Sequence, residues 1–227
     1  MPAHTITHDD CPAVHTISLG MSQAYLIAGR AGLCLVDAGI SRQERRILRA
    51  IQSLGRDDLK LIFITHAHLD HYGSASALRE ITGAEIAIHH ADADAMARGD
   101  TILGECRGRG KIVGPFLPFV EFFPGIDPTP ADILLEEGDS LSEWGFDARV
   151  LHTPGHTAGS SCLLAESRIA FAGDLLSGGR HPHAQRYYAD DWSQIPTSIT
   201  RLRAEKPDLV YAGHGSRPVT AEQLERL

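Results

Sequence analysis

The segment LIFITHAHLDHYG, from Leu61 to Gly73, places three histidines and one aspartate within six residues, directly after an apolar run. These side chains are His66, His68, Asp70 and His71. Imidazole nitrogens and carboxylate oxygens bind Zn2+ and similar metals such as Fe, Mn or Co. Without a cation, several buried polar groups would compete for partners in a single loop. The segment therefore indicates a metal site.

Three later segments have the same form, in which an apolar run is followed by a polar loop. ARVLHTPGHTAGS carries His156, RIAFAGDLL carries Asp174, and DLVYAGHGS carries His214. Polar residues that follow strands in a layered α/β core converge on one rim of the fold. Five histidines and two aspartates overfill one metal site and can complete two, with a carboxylate as the bridge. The predicted cluster is His66, His68, Asp70, His71, His156, Asp174 and His214.

The other histidines carry less information. A lone histidine near an apolar strand is more often a packed or surface residue than a ligand, and we interpret His4, His8 and His15 in that way. His152 lies outside the pattern, where it either supports a ligand or packs against its neighbours. An aspartate at a strand end can also cap a helix, so Asp174 alone would be weak evidence. The four segments together indicate metal binding.

Alternating strands and helices must position these loops. The segments predicted as strands are AVHTISL, AYLIAG, LCLVDAG, KLIFIT, AEIAIHH, DILLEEGDSL, FDARVLHT, SSCLLAE, RIAFAGD and DLVYAGHG. Apolar periodicity predicts helices over residues 41–54, 74–81, 91–98 and 192–204, the first with Ser41 as N-cap and Gly55 at its end. We predict an α+β fold with two packed β-sheets and helices outside, in a single domain over residues 1–227.

Residues 99–130 differ in composition from the rest of the chain. They are rich in Gly and Pro and contain Phe116, Phe119, Phe122 and Phe123. A connection of this length predicts a lid, a substrate wall or a partner surface, and a homodimer is a further expectation. A loop that packs its own phenylalanines is the alternative interpretation.

Composition and charge limit the classes of function. The chain has 227 residues, 43% hydrophobic content and a formal net charge of -8, which argues against binding a nucleic-acid backbone. No apolar run approaches the roughly 20 residues that span a bilayer, and the first residues lack a signal-peptide pattern. The four cysteines are scattered without CxxC spacing. We therefore expect reduced thiols, a cytoplasmic location and a small-molecule substrate.

The motifs THAHLDHYG, TPGHTAGS, AGD and AGHG, with LVDAG upstream, resemble the five motifs of the metallo-β-lactamase-fold hydrolase superfamily. The resemblance spans Val36 to His214 and implies a four-layer αβ/βα sandwich with metals on one edge. It also implies three ligand groups: His66, His68 and His156 for a first metal, Asp70, His71 and His214 for a second, and Asp174 as the bridge. Asp37 would support the site through hydrogen bonds, or alternatively cap a strand end.

The resemblance implies a hydrolase that uses two divalent ions, with Zn2+ expected and Fe or Mn as alternatives. Two ions that share a water lower its pKa from 15.7 towards about 7, which gives a hydroxide that attacks a carbonyl or phosphoryl centre. Asp70 would be the catalytic residue that orients this nucleophile and handles its proton. We predict cleavage of an ester, thioester or lactone bond in a small molecule.

Within the superfamily, the chain is most similar to the glyoxalase II-like thioesterases and lactonases. Asp174 stands where the commonest zinc β-lactamases have a cysteine ligand, which disfavours penicillin hydrolysis. Only thirteen residues follow His214, whereas the full glyoxalase II pattern has a basic C-terminal helical extension; this disfavours glutathione thioesters. The other classes considered are a mononuclear iron persulfide dioxygenase, a phosphodiester hydrolase and a non-catalytic binding protein.

The loop GGRHPHAQRYYADDW, which follows Asp174, supplies the candidate substrate contacts. Tyr187 or Tyr188 would steady an oxyanion, as a tyrosine does in acyl-homoserine lactonases, or the pair covers the edge of the last helix. The basic residues of the loop would meet an anionic substrate or form ordinary solvated surface. These residues are Arg180, His181, His183 and Arg186.

Overall fold

The computed structural model describes residues 4–6, 14–101, 104–113, 127–166 and 168–227. In chain order the strands are β1 (His4–Ile6), β2 (Val14–Ser18), β3 (Gln23–Ala28), β4 (Leu33–Val36), β5 (Leu59–Ile64), β6 (Glu85–His89), β7 (Glu105–Cys106), β8 (Ile133–Leu135), β9 (Ala148–His152), β10 (Ser161–Ala165), β11 (Ile169–Phe171), β12 (Leu176–Ser177), β13 (His183–Ala184), β14 (Tyr188–Ala189), β15 (Leu209–Tyr211) and β16 (Val219–Thr220). The helices are α1 (Glu44–Ser53), α2 (Leu69–Tyr72), α3 (Ala75–Thr82), α4 (His90–Arg98), α5 (Gly110–Val113), α6 (Ile195–Ala204) and α7 (Ala221–Glu225).

Two β-sheets form the centre of the molecule. The first has the strand order β1-β2-β3-β4-β5-β6-β8, antiparallel from β1 to β4 and parallel from β4 to β8. The second has the order β16-β15-β11-β10-β9, in which only the β11–β15 pair is parallel among the described strands. Two short antiparallel pairs, β12–β13 and β14–β7, lie outside these sheets.

The apolar run of β5 is buried on both faces, as its lack of alternation predicts. Leu61 and Phe63 contribute to the core between the two sheets. Ile62 and Ile64 contribute to a second core beneath the helices that cover the first sheet. Because successive side chains of a strand point to opposite faces, one unbroken apolar segment can serve both cores.

Three buried cores separate four layers. Ile47 of α1, Leu78 of α3 and Met96 of α4 cover the outer face of the first sheet. Ile199 of α6 and Leu224 of α7 cover the outer face of the second. Burying a side chain of this size contributes about 1.5–3 kcal/mol. The predicted α+β fold, with two packed sheets and helices outside, is therefore confirmed.

Some local predictions were wrong. Ser41 is not the N-cap of α1, because the helix begins at Glu44 and Gln43 takes the cap position without a side-chain hydrogen bond. The last predicted helix begins at Ile195 and not at residue 192. DLVYAGHG is the last element that the sequence analysis predicts, but β16 and α7 follow it in the structure.

The segment over residues 99–130 is described only in part. Phe116, Phe119, Phe122 and Phe123 lie outside the described residues, so their predicted role stays a prediction. The described part contains β7 and α5, and β7 pairs with β14, so that Cys106 lies opposite Tyr188. Among the described residues, no helix is long and apolar enough to cross a membrane.

Candidate metal centre

The structure brings the seven predicted side chains together where strands of both sheets end. His66, His68, Asp70 and His71 follow β5 of the first sheet. The other three follow strands of the second sheet: His156 comes after β9, Asp174 after β11 and His214 after β15.

Three histidine nitrogens form a nearly equilateral triangle. His66 Nε2 lies 3.1 Å from His68 Nδ1 and 3.2 Å from His156 Nε2, and the remaining side, from His156 Nε2 to His68 Nδ1, is 3.0 Å. Two nitrogens that bind one tetrahedral Zn2+ at about 2.0–2.1 Å lie about 3.3 Å apart. The triangle therefore fits three ligands of one small cation. All three side chains are buried.

A second group of ligand atoms adjoins the triangle. Asp70 Oδ2 lies 3.4 Å from His214 Nε2 and 3.7 Å from His71 Nε2. Asp174 lies between the two groups, with Oδ1 3.5 Å from His71 Nε2 and Oδ2 3.1 Å from His214 Nε2 and 3.7 Å from His156 Nε2. The carboxylate of Asp174 thus faces atoms of both groups, which is the position that a bridging ligand needs.

Two buried polar atoms in this cluster lack a hydrogen-bond partner. In the described part of the chain, only three buried side-chain nitrogen or oxygen atoms are unpaired, and two of them are His71 Nε2 and Asp174 Oδ1. Buried polar groups are nearly always paired, so such atoms call for an explanation. They face each other across 3.5 Å, and a cation bound by both would satisfy both. The donor set therefore fits metal ions.

Two rings of the triangle, those of His66 and His156, are held in the neutral form. Burial, with a smaller effect of nearby His71, lowers the pKa of His66 well below its ordinary value. Burial and the neighbouring His68 lower the pKa of His156 to about 3. Neutral imidazoles have lone pairs free for a metal, so this group is prepared to bind one.

The second group has an excess of negative charge. Asp174 raises the pKa of His214 to about 10, against the opposite effect of burial. Burial alone would lower the pKa of His71, but Asp70, Asp37 and Asp174 together raise it to about 9. The carboxylates therefore attract positive charge to this buried place, and protons or metal ions can supply it.

Asp37 holds the first-sheet loop in place. Its carboxylate accepts hydrogen bonds from the Thr65 backbone N–H at 2.9 Å and the Thr65 hydroxyl at 3.0 Å, and it lies 2.8 Å from His71 Nδ1. The Thr65 hydroxyl donates its one hydrogen to Asp37, so it accepts from His66 Nδ1 at 3.0 Å. Asp37 adopts a φ of 59°, rare for a residue with a side chain. Asp37 therefore contacts both ends of the segment that carries the first-sheet ligands, from Thr65 to His71.

Backbone carbonyls orient two further rings. His156 Nδ1 lies 3.0 Å from the Tyr188 carbonyl oxygen, and His214 Nδ1 lies 2.8 Å from the Met21 carbonyl oxygen. In each ring the Nδ1–H donates to the carbonyl, which leaves Nε2 as the atom with a free lone pair facing the cluster.

Asp92 is a candidate supporting residue that the sequence analysis missed. Its buried carboxylate accepts hydrogen bonds from the Ala67 N–H at 2.8 Å, the Thr157 hydroxyl at 2.7 Å and the Gly159 N–H at 2.6 Å. Ala67 lies between His66 and His68, while Thr157 follows His156. Asp92 therefore joins the two loops that supply the triangle.

Two glycines allow the loops to approach closely. A Cβ at Gly213 would lie 2.4 Å from Asp174 Oδ1 and 2.6 Å from His71 Cε1. At Gly173, where φ is 48°, a Cβ would lie 2.6 Å from Thr65 Oγ1. Neither distance is compatible with a side chain, so glycine is required at both positions.

The predicted substrate contacts are only partly near the cluster. Tyr188 is half-buried, and its ring centroid lies 6.3 Å from that of His156. The Tyr187 ring lies edge-on to that of His183, with centroids 6.1 Å apart, and is tilted against that of Tyr188 at 6.3 Å. In the described part of the chain, no hydrogen bond or ring contact joins His181 or His183 to the seven side chains.

His152 packs and does not approach the cluster. Its ring stacks on that of His89 at 4.0 Å, and its Nε2 lies 2.9 Å from the Ala158 carbonyl oxygen. The described cysteines, Cys34, Cys106 and Cys162, are free thiols, and burial raises the pKa of Cys34 and Cys162 to about 12. These two thiols are therefore inert core residues.

Comparison with known proteins identifies the class. The family model of the metallo-β-lactamase superfamily matches residues 17–214. The chain therefore belongs to the metallo-β-lactamase superfamily, and its hydrolase relatives support a metal-dependent hydrolase.

Individual relatives agree with this class. The chain is 29% identical over 184 residues to the hydroxyacylglutathione hydrolase GloC of Haemophilus influenzae, which covers 80% of this chain and 79% of the relative. It is 32% identical over 169 residues to the acyl-coenzyme A thioesterase MBLAC2 of Gallus gallus, and the alignment covers 68% of this chain and 57% of the relative. The crystal structure of TTHA1623 in a di-iron-bound form superposes with a TM-score of 0.69 at 28% identity, covering 95% of this chain and 97% of that one.

Proposed function

We propose that this protein is a dinuclear metal-dependent hydrolase that cleaves an acyl thioester of a small molecule, with ester and lactone bonds as related substrates. The observation that carries the proposal is the pair of ligand groups with Asp174 between them, together with the unpaired His71 Nε2 and Asp174 Oδ1. The printed names of two relatives, a hydroxyacylglutathione hydrolase and an acyl-coenzyme A thioesterase, favour thioesters among the three bond types.

The chain offers a complete set of ligands for two ions. One ion would be held by His66, His68 and His156, the other by Asp70, His71 and His214, with Asp174 shared. The donors are nitrogens and carboxylate oxygens without a thiolate, which suits Zn2+ and also iron or manganese. Two such ions, when bound, supply a hydroxide at neutral pH and polarise the carbonyl oxygen of the substrate.

Two side chains of the protein assist the reaction in this proposal. The carboxyl side chain of Asp70 is 16% exposed, against 6% for Asp174, so Asp70 is the more accessible of the two carboxylates to a water that enters the site. Asp70 would orient that water and accept its proton. Burial, with nearby Asp174 and Asp70, raises the pKa of Tyr188. Its hydroxyl therefore stays protonated at neutral pH and would donate a hydrogen bond to the developing oxyanion.

Metal analysis and turnover test the proposal together. Protein purified without added metal should contain two divalent ions per chain and should hydrolyse acyl thioesters of glutathione or coenzyme A. A His90→Ala control, which changes an exposed histidine outside the cluster, should keep both properties. One iron per chain with oxygen uptake on a persulfide would instead identify a dioxygenase, and full turnover by metal-stripped protein would exclude the mechanism.

A further inference from the structure

Two arginines line one open cleft beside the candidate metal centre. Arg180 lies six residues after Asp174, and Arg217 lies three residues after His214. The cleft has a volume of about 440 Å3 and is lined by Gly179, Arg180, Arg217, Pro218, Thr220 and Gln223. The described residues of this lining include two guanidinium groups and no carboxylate, so we name it the arginine cleft.

Backbone hydrogen bonds fix the arginine cleft relative to the metal centre. The Gly178 N–H donates to the His214 carbonyl at 2.8 Å, and the Gly179 N–H donates to the Arg217 carbonyl at 3.1 Å. Ser177 also forms a parallel bridge with His214. Hydrogen bonds therefore join the two loops that carry the arginines. They do so at His214, whose side chain lies near Asp70 and Asp174.

The charge of the cleft is not neutralised by the protein. Eight of the described arginines lie within ion-pair distance of a carboxylate, and Arg180 and Arg217 are among the ten that do not. In the same part of the chain, no carboxylate forms an ion pair with Arg180 or Arg217, and both side chains are exposed. The chain as a whole has a formal net charge of -8. The cleft is thus a local positive field on an acidic protein, which attracts an anion.

We propose that the arginine cleft binds the anionic group, a carboxylate or a phosphate, of the thiol carrier in the substrate. This inference rests on the proposed thioesterase function. It assigns a binding site to the carrier part of the substrate, which the metal centre does not hold. The planar guanidinium group matches the geometry of both carboxylate and phosphate through paired N–H donors. With the acyl group at the metal centre, the carrier extends along the His214 loop to the cleft.

Kinetics with matched substrates test the inference. The same acyl group is presented on glutathione, on coenzyme A and on uncharged N-acetylcysteamine, to wild type and to Arg180→Gln, Arg217→Gln and the double variant. Each single change should raise KM about tenfold for a charged carrier, leave kcat within about twofold and leave the N-acetylcysteamine thioester unaffected. An effect confined to glutathione identifies a carboxylate as the ligand, and one confined to coenzyme A identifies a phosphate.

The control is Arg226→Gln, which removes an exposed arginine of the C-terminal region that pairs with Glu222. It should change no kinetic constant by more than about twofold. The inference is overturned if KM for both charged carriers is unchanged in the double variant. It is also overturned if KM for the uncharged thioester rises as much as KM for the charged ones.

Equilibrium binding separates this inference from the proposed function. S-methylglutathione and S-methyl coenzyme A carry the charged groups without a thiolate that could bind metal, and their affinity for the metal-loaded protein is measured by calorimetry. At least one of the two compounds should bind wild type. Its affinity should fall about tenfold in each arginine variant and should fall further at high salt. If wild type hydrolyses no thioester, the proposed function fails while this result still supports the cleft. If neither compound binds wild type, or both bind the double variant equally well, the cleft assignment is wrong.

Discussion

At the scale of single residues, the chemistry of the cluster depends on the position of each ligand just after the end of a strand. A strand buried on both faces cannot hold a charged group, so the polar residues come directly after it. This is why His66, His156 and His214 could be located from the sequence. Their distances could not, because they depend on contacts between segments far apart in the chain, such as the 3.2 Å between His66 and His156.

Removing the shared carboxylate should be the most damaging single change. Asp174→Ala takes away the one side chain that faces both ligand groups, so we expect metal content to fall by about one ion or more per chain and turnover to be lost. His66→Ala should have a similar effect on metal content. Elemental analysis with circular dichroism, which checks folding, provides the measurement. Two retained ions in a folded Asp174→Ala variant would contradict the assignment.

Asp92 should act on metal affinity without touching the metal. Asp92→Ala removes the acceptor that joins the His66 and His156 loops, and loss of such a supporting group typically costs 10–100-fold in metal affinity. Competition with a chromogenic chelator measures this affinity. Asp94→Ala, an exposed change on the same helix, should leave it unchanged. An unaltered affinity in folded Asp92→Ala would show that Asp92 is dispensable for the triangle.

The sequence does contain a signal for Asp92, although it is weak. Asp92 lies four residues before Met96, and both face the buried side of α4. A carboxylate on an apolar helix face needs partners, and these partners are on loops whose positions the local sequence does not encode.

At the scale of secondary-structure elements, strands were easier to predict than helix starts. The predicted strand segments overlap ten of the observed strands, β2–β6, β8–β11 and β15, because a buried apolar run leaves a strong local pattern. The short strands β1, β7, β12, β13 and β14 were not predicted. The start of α1 was misjudged because Ser41 looks like an N-cap, whereas the side chain of Gln43 bonds to Leu19 and Ile40 and fixes the turn by tertiary contacts. β16 and α7 are too short for periodicity to reveal.

The start of α4 should make the fold sensitive to acid. His89 caps this helix by accepting from the Ala91 N–H, and burial together with His152 and His90 lowers its pKa to about 4. Between pH 6.5 and 4 the unfolded chain therefore binds a proton at this position that the folded protein does not. Stability from this group is fully present above pH 6.5 and is lost as the pH falls towards 4.

Replacing His89 should remove that part of the pH dependence. We expect the urea-unfolding free energy of His89→Gln to fall less steeply between pH 6.5 and 4 than that of wild type. His181→Gln, at an exposed position, serves as the matched control and should retain the wild-type slope. Parallel curves for wild type and His89→Gln would refute this role.

At the scale of the whole molecule, the ligands come from both sheets. Four follow β5 of the first sheet and three follow strands of the second, so bound ions would hold the two halves together. Tyr25 adds a direct link, because its buried hydroxyl donates to the Ala212 carbonyl at 2.6 Å, two residues before His214. Sheet packing and ligand geometry are therefore coupled.

Metal removal should lower the melting temperature. A ligand present at 100 times its Kd stabilises the folded state by about 2.7 kcal/mol, which is roughly 5–10 °C for a chain of this size. We expect chelation followed by desalting to produce a shift of that order in differential scanning calorimetry, and readdition of Zn2+ to reverse it. Asp174→Ala should show a much smaller shift. Equal melting temperatures with and without metal would contradict the coupling.

The glycine that precedes His214 has a consequence for how this enzyme can diversify. Any side chain at position 213 would push Asp174 away from His71, so no single codon change there yields a working variant. Position 217, three residues further on, is exposed and has no such restriction. Laboratory evolution towards new substrates should therefore accumulate its changes on the exposed loops, while the glycine packed against Asp174 and His71 stays unchanged.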